Sequence, residues 1–554
     1  MRQSRTSVAS APASFSRLAL AASLLASASA RANMPVTVYV DKSALAGGNG
    51  ETSAGAFRDL QDALDDVQNR ISQGQQDPIT VKIAKGIYTP GRGSLNRDSL
   101  FVLNTYGAAS GLTITLEGEL GLSPPTPGQT PGAGSDRTVL SADLSGDDLP
   151  GFVNHAENAR RIFAGGNPRG FITVRNIEFR GANQDDQYGL SPVYLSAGAT
   201  NLPPPTGTNL IVSGCSFVEN QSKVDSALFA IGFRPVVERC RFDRNNSASG
   251  PGALQIFTLG ASGATISFSN FYENRGTLGG AIATSGELYV STSTFFMNHA
   301  AYGGAVFADD SVRFTLCLFA QNRSDNEGGA IFMPGTSHAS FSQCTFSANG
   351  ASDGSAIVVR FGGADISNSI VWGGLGSSGP VIDLSPSFVL CSVSSSVIEG
   401  GLSGVTVDPG MLYRSGILQS SDPLFIRPGQ FSDPRQSLDH VNYRLKTGSS
   451  ASDIGASFNE SNDLDGNLKA FEPIGKKQDS GCYFYNVSPC RESLFHAYYM
   501  DPIVNDDDFV VFAKAYGEVI SPPANPNADF NHDGFVNDAD FSIFAIAYDN
   551  GMCP

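Results

Sequence analysis

The loop "DFNHDGFVNDAD", which begins at Asp529, places oxygen-bearing side chains at the spacing of a calcium-binding loop. Calcium takes about six to eight oxygen ligands, and a glycine in the middle of such a loop permits its sharp turn. The sequence therefore predicts one bound calcium ion, with a solvated acidic turn as the alternative. The expected ligands are the side chains of Asp529, Asn531, Asp533 and Asp540 and the backbone carbonyl of Phe535.

The calcium loop belongs to the second of two similar segments near the end of the chain. "VNDDDFVVFAKAY", from Val504, matches "VNDADFSIFAIAY", from Val536, at most positions. Each segment runs from a loop into a short amphipathic helix with its aromatic residues on one face. This duplication resembles a type I dockerin, a calcium-loop and helix unit that attaches extracellular proteins to a partner. The resemblance implies a small all-α domain over residues 486–554 and a cohesin-like or cell-surface partner.

The first loop of the duplication departs from the dockerin pattern. Ala497 and Tyr499 stand where the second loop has its first two ligands, and Pro502 replaces the central glycine. We therefore expect one calcium ion rather than two. The segment also resembles dockerin-type anchors with a terminal Gly-Cys. Cys490 and Cys553 bracket it, which suggests a clasp between its ends in an exported protein.

The other end of the chain predicts export. Three arginines precede a short apolar run, "LALAASLLASASA", that ends in small residues. This pattern is typical of a cleaved signal peptide, here residues 1–32, and the run is too short to span a bilayer. Loss of its four arginines takes the formal charge from −17 to about −21. Such an acidic chain is a poor partner for nucleic acid, and we expect a secreted or cell-surface protein without a membrane span.

The middle of the chain repeats at a near-constant period. Six copies of a motif such as "CSFVENQ" align on phenylalanines that recur roughly every two dozen positions. Each copy consists of three short apolar stretches separated by turn residues, and it cannot pair its own strands. Pairing each strand with its counterpart one repeat later satisfies the backbone and stacks like residues into columns about 4.8 Å apart. The repeats therefore predict an all-β parallel β-helix.

Three columns follow from this alignment. The first contains Phe217, Phe242, Phe271, Phe295, Phe319 and Phe346. The second, two residues earlier, contains Cys215, Cys240, Ser269, Ser293, Cys317 and Cys344, and we favour buried thiols there over disulfides, because in-register neighbours meet at poor torsion angles. The third contains Asn220, Asn245, Asn274, Asn298, Asn322 and Asn349. A turn ladder accounts for all six asparagines, whereas the alternative, N-linked glycosylation, accounts for three.

The order of segments from "VYVDKSALAGGNG" to "DSGCYFY" resembles bacterial secreted right-handed parallel β-helix proteins of the pectate-lyase-like superfamily. The resemblance implies a right-handed β-helix over residues 33–485, and it is weakly informative about activity. Residues 56–71 carry Phe57, Leu60, Leu64, Val67 and Ile71 at helical spacing, which predicts an N-terminal capping helix.

One group of charges on neighbouring repeats is a candidate active site. Its members are Glu219, Arg241, Asp243, Arg244 and Glu273, with a salt-bridged surface patch as the favoured alternative. Tyr272 and Phe296 are expected to face outward, either to stack on sugar or to contact a loop folded over the coil. All six histidines are isolated along the chain. We favour a scaffold that binds carbohydrate or cell-surface material, with a polysaccharide lyase or glycoside hydrolase as the alternative.

Overall fold

The computed structural model describes residues 35–119, 137–186, 191–197, 208–259, 263–352, 355–374 and 380–428, together with shorter stretches at 441–446, 448–455, 463–464 and 479–483 and isolated positions between 512 and 545. Across these residues no helix has the length and apolar character that crossing a lipid bilayer requires.

Three parallel sheets run along the chain, and each coil of the backbone contributes one strand to each sheet. Sheet 1 consists, in pairing order, of Val36–Val40, Ile79–Ile83, Thr113–Gly118, Phe171–Arg175, Leu210–Ser213, Val236–Glu238, Ala264–Ser267, Leu288–Ser291, Val312–Thr315, His338–Ser342, Gly363–Ser367, Cys391–Ile398 and Leu412–Gln419. Sheet 2 consists of Gly86–Tyr88, Thr138–Ser141, Glu178–Arg180, Ser216–Val218, Arg241–Asp243, Asn270–Tyr272, Thr294–Phe296, Leu318–Ala320, Thr345–Ser347 and Ile370–Trp372, and it ends on the second half of Cys391–Ile398.

Sheet 3 completes each coil. Its strands are Phe101–Leu103, Phe163–Asn167, Val193–Ala197, Leu228–Gly232, Leu254–Thr258, Ile282–Thr284, Val306–Ala308, Ile331–Met333, Ile357–Val359, Ile382–Leu384 and Val405–Val407. Two-residue strands add short ladders at the turns, namely Asn183–Gln184, Gln221–Ser222, Asn246–Ser247, His299–Ala300 and Arg323–Ser324. Because each strand pairs in parallel with its counterpart one coil later, the predicted parallel β-helix is confirmed.

The predicted phenylalanine column is a continuous stack inside the coil. Phe217, Phe242, Phe271, Phe295, Phe319 and Phe346 are all fully buried, with successive ring centroids 4.6–4.9 Å apart and nearly parallel planes. Phe179, one coil earlier, extends the stack at 5.2 Å. The in-register pairing of the strands that carry them sets this spacing, so the column and the sheet stabilise each other.

The asparagine column is a hydrogen-bonded ladder at the turn after sheet 2. The side-chain Nδ2 of each of the first five asparagines donates to the Oδ1 of the asparagine one coil later at 2.9–3.0 Å. All six Nδ2 groups also donate to the carbonyl of the phenylalanine one coil earlier. The six side chains are buried, so the turn ladder is confirmed and leaves Asn220, Asn245 and Asn322 inaccessible to glycosylation.

A residue in the left-handed backbone region stands just before each asparagine of the ladder. This conformation costs about 1–2 kcal/mol for a residue with a Cβ, and the ladder hydrogen bonds that follow hold it in place. These residues are Glu219, Arg244, Glu273, Met297, Gln321 and Ala348, with φ between 50° and 56°.

The cysteine and serine column is buried beside the phenylalanine stack. Cys215, Cys240, Cys317 and Cys344 are free thiols, which confirms the predicted reduced state. Where serine takes the position, its hydroxyl donates to the carbonyl two residues earlier, as Ser269 does to Ser267 at 2.9 Å. The column therefore satisfies backbone groups at the bend between sheets 1 and 2.

Helix α1, Leu60–Ser72, packs at the N-terminal end of the β-helix core. It buries Leu60, Leu64, Val67 and Ile71, four of the five residues predicted to share one face; the fifth, Phe57, precedes the helix. The predicted start at residue 56 is wrong, because Asp59 is the extended N-cap and accepts a hydrogen bond from the backbone N–H of Gln61 at 2.8 Å.

The segment after the last coil folds back over the outer face of sheet 2. Phe425–Arg427 and Asn442–Leu445 form an antiparallel pair, and Phe425, Tyr443 and Leu445 are buried against Phe296, Leu318 and Ile370. The Gln321 side-chain amide donates to the Tyr443 hydroxyl at 3.3 Å. This contact gives the later coils a second, smaller hydrophobic core outside the helix.

Candidate functional site

A buried set of ion pairs lies on the outer face of sheet 2, on successive coils. The Arg241 guanidinium contacts Asp243 at 2.8 Å, and Arg244 contacts Glu219 at 2.8 Å and Asp243 at 3.5 Å. One coil before Glu219, Arg180 and Glu178 pair at 3.4 Å. We call these residues the ion-pair cluster: Glu178, Arg180, Glu219, Arg241, Asp243 and Arg244.

Burial is the unusual property of the cluster. Glu178, Glu219, Arg241 and Asp243 are each exposed by no more than 5%, and Arg180 by 8%. Charges taken out of water are tolerated when each has an oppositely charged partner, and removal of one partner is strongly destabilising. Burial raises the pKa of Glu178, although the nearby guanidinium groups oppose that shift.

The residues predicted from sequence are only in part brought together. Glu219, Arg241, Asp243 and Arg244 form one network, whereas Glu273 is exposed at its edge. The ion pairs of the favoured interpretation are present among these four residues. The expected surface position is wrong for Glu219, Arg241 and Asp243, which are buried, whereas Arg244 is 23% exposed.

Glu178 and Arg180 are not among the residues predicted from the sequence. Their strand, "EFR", matches "RFD" of a later repeat in spacing, but Ala182 replaces the ladder asparagine. The interval from Phe179 to Phe217 is also much longer than the intervals between the later phenylalanines. The signal that would have found them is the phenylalanine flanked by two charged residues.

A loop after the second strand of sheet 2 borders the cluster. The backbone N–H of Gly151 donates to Glu219 Oε1 at 3.0 Å. Asn158 anchors the loop, since its Nδ2 donates to Asp148 and to the Gly181 carbonyl. The buried His155 ring faces Asp148 at 3.4 Å, so this histidine is not isolated in the fold.

The loop places Asp148 in surroundings that disfavour its charge. Burial, together with the charges of Asp143 and Glu157, raises the pKa of Asp148 to about 7, and the hydrogen bond from Asn158 opposes the shift. Burial also lowers the pKa of His155. The side chain of Asp148 is only 10% exposed.

The two predicted outward aromatic residues differ in their surroundings. Phe296 is 2% exposed beneath the returning C-terminal segment, so the sugar-stacking interpretation is wrong for it and the folded-over loop is correct. Tyr272 is half-buried at the border of that segment, with the Arg241 guanidinium 5.5 Å from its ring centroid. Tyr272, Arg244 and Glu273 form the open edge of the cluster.

The expected ligands of the tail calcium loop, Asp529, Asn531, Asp533, Phe535 and Asp540, lie outside the described residues, as do Cys490, Cys553 and residues 1–32. In the duplicated segments, Phe512 and Phe544 are buried and their rings stack with centroids 4.9 Å apart. The two copies of the duplication therefore meet through aromatic residues at matching positions.

We expect substitution of Glu178 by glutamine to change how stability depends on pH. A carboxyl whose pKa is raised on folding holds its proton longer in the folded chain, so its contribution is present at low pH and declines as the pH rises above its usual value. The difference in stability between Glu178→Gln and the unsubstituted chain should therefore shift in favour of the variant as the pH rises from 4 to 7, whatever the cost of losing the pair with Arg180. Thermal melting across that range measures it. Glu117→Gln, at a surface pair with Arg175, is the control and should show a smaller trend; equal trends would contradict the prediction.

No family model matches the chain, and no curated protein matches it. Among solved structures, pectate lyase Pel9A is 10% identical to this chain, with a TM-score of 0.35. The match covers 82% of this chain and 97% of the pectate lyase chain. The PL6 family alginate lyase AlyGC is 10% identical, with a TM-score of 0.32. That match covers 71% of this chain and 54% of the alginate lyase chain. The chain therefore matches about half the length of the alginate lyase.

Proposed function

We propose that this chain is an exported protein that binds polysaccharide on the outer face of sheet 2 and is attached to a partner through residues 486–554. The open edge of the ion-pair cluster carries the proposal. Arg244 offers hydrogen-bond donors, Glu273 offers acceptors, and the half-buried Tyr272 offers an aromatic face. Sugars present hydroxyl groups beside apolar ring faces, so this combination suits them.

The state of the buried charges favours binding over catalysis. Arg244 already engages Glu219, and Arg241 already engages Asp243. Groups held in ion pairs are well placed to orient a ligand, because their rotamers are fixed before it arrives. The function is therefore proposed as recognition and positioning of a polymer along a rigid coil.

A polysaccharide lyase or glycoside hydrolase is the second candidate. The observation that favours it is Glu178, a buried carboxyl with a raised pKa beside Arg180. A carboxyl whose pKa is raised above its usual range is suited to general acid catalysis. This candidate requires that a sugar bound at the open edge of the cluster reach the buried Glu178.

The attachment rests on the C-terminal duplication. Its second loop has a donor set of carboxylate, amide and carbonyl oxygens that suits a hard cation such as calcium. We infer that calcium folds this loop into a dockerin-like module that docks onto a cohesin-like or cell-surface partner. We also infer that residues 1–32 direct export and that α1 caps the N-terminal coil.

Binding to a panel of neutral and acidic polysaccharides tests the proposal. We expect affinity gels with the mature chain to show retardation by at least one polymer, and Tyr272→Ala to weaken it at least tenfold. The matched control is Tyr289→Ala, because Tyr289 also lies beside a guanidinium, that of Arg313, on a different face. Equal losses in both variants, or no retardation by any polymer, would refute it. If the chain releases unsaturated or reducing sugar ends from a polymer, and Glu178→Gln abolishes that release, the protein is an enzyme instead.

A further inference from the structure

Four carboxylates converge in the loop that borders the ion-pair cluster. One oxygen from each of Asp143, Asp147, Asp148 and Glu157 lies within 4.8 Å of the others. All four residues are at least partly exposed, and Asp147 is the most open. At such separations unscreened like charges repel one another, so the group is unfavourable unless a cation or protons neutralise it.

One oxygen of this group has no partner of its own. The Asp148 side chain is nine-tenths buried, and its Oδ2 accepts a hydrogen bond from Asn158 and faces His155. Its Oδ1 is shielded from solvent and has no hydrogen-bond partner. A buried carboxylate oxygen without a donor is costly. This property of Asp148 is separate from the clustering, and a cation beside Oδ1 would supply the partner that the oxygen lacks.

The loop backbone is held so that the carboxylates stay together. Asp143 accepts hydrogen bonds from the N–H groups of Gly146 at 2.6 Å and of Asp148 at 3.2 Å. The Ser145 hydroxyl contacts both Asp147 and Glu157, at 2.5 and 2.9 Å. The acidic groups are therefore brought together from both ends of the loop.

We propose that Asp143, Asp147, Asp148 and Glu157 form a calcium site. The donors are all oxygens, which suits a hard cation and disfavours zinc and copper. The irregular loop and the open side at Asp147, where water can complete the shell, suit the flexible coordination of calcium better than the strict octahedron of magnesium.

Such an ion would act on the neighbouring cluster. The same loop donates the Gly151 N–H to Glu219, so fixing the loop also fixes one wall of the ion-pair cluster. The calcium site does not depend on the proposed polysaccharide binding, and it lies in the β-helix rather than in the C-terminal duplication.

Titration calorimetry on the mature chain tests the site, with Asp529→Ala introduced to remove the tail loop as a calcium ligand set. We expect this chain to take up one calcium ion, and the added substitution Asp147→Asn or Glu157→Gln to weaken uptake at least tenfold. Glu287→Gln, which removes the same charge on a distant coil, is the control and should leave uptake unchanged. Magnesium should bind at least tenfold more weakly than calcium.

Melting of the same chains gives a second measurement that does not rely on heats of binding. In chelator, Asp147→Asn should melt at a higher temperature than its parent, because one repelling charge is gone. With calcium the order should reverse, because only the parent gains stability from the ion. No calcium uptake by the Asp529→Ala chain, or uptake that neither loop variant changes, would overturn the proposal. Because the tail loop is already disabled, neither result depends on whether the tail binds calcium.

Discussion

Replacement of Phe271 by alanine is expected to destabilise the β-helix by about 3–5 kcal/mol. The ring is fully buried and stacks on Phe242 at 4.8 Å and on Phe295 at 4.9 Å. Its removal would leave a cavity that the neighbouring coils cannot close, since their positions are fixed by strand pairing on both sides. Denaturant unfolding followed by circular dichroism measures the loss.

The control for this prediction lies three residues earlier. Phe268 is 40% exposed and lies under the Arg239 guanidinium on the outer surface. Phe268→Ala should cost less than about 1 kcal/mol, because little apolar area returns to water. A loss for Phe271→Ala no larger than that of the control would mean that the stack does not hold the coils together.

Replacement of Asn298 by aspartate is the second substitution with a large expected effect, about 3 kcal/mol or more at neutral pH. Asn298 Nδ2 donates to the Phe271 carbonyl at 3.0 Å and to Asn322 Oδ1 at 2.9 Å. In the variant a carboxylate oxygen would face both of these acceptors in a site with no solvent access. The substitution keeps the size of the side chain and changes only donors and charge.

The pH dependence of Asn298→Asp separates this mechanism from a simple loss of packing. A buried carboxyl that faces acceptors has a raised pKa in the folded chain, so the defect should be largest at neutral pH and shrink as the pH falls and the proton restores a donor. Asn246→Asp, at a partly exposed turn position next to the ladder, is the control. A defect of the same size at pH 4 and pH 7, or an equal one in the control, would contradict the ladder mechanism. Chemical unfolding at both pH values measures it.

The coil was predictable because each of its requirements recurs along the chain. A column needs the same residue at the same position in every repeat. The spacing of the phenylalanines from Phe217 to Phe346 and of the asparagines from Asn220 to Asn349 therefore predicts the β-helix. Phe179 was missed for the complementary reason, since the repeat that follows it is lengthened and the period breaks there.

Burial of the candidate site was not predictable from the repeats. Whether Glu219 is covered depends on Gly151, which lies far away along the chain in a loop that occurs once. Whether Phe296 is covered depends on the returning segment around Tyr443. Neither segment repeats, so periodicity carries no information about either. The convergence of Asp143 and Glu157 likewise depends on how one loop closes.

The equal registers of successive coils have a consequence for how such a chain can change its length. The interval from Phe271 to Phe295 equals the interval from Phe295 to Phe319, and the strands that carry these residues pair residue for residue. Duplication of such a segment in the gene would add one complete coil, and every column of side chains would continue through it. An insertion of one residue within a strand would turn its inward side chains outward. Insertion of a whole coil is therefore tolerated, whereas shorter insertions are confined to the turns.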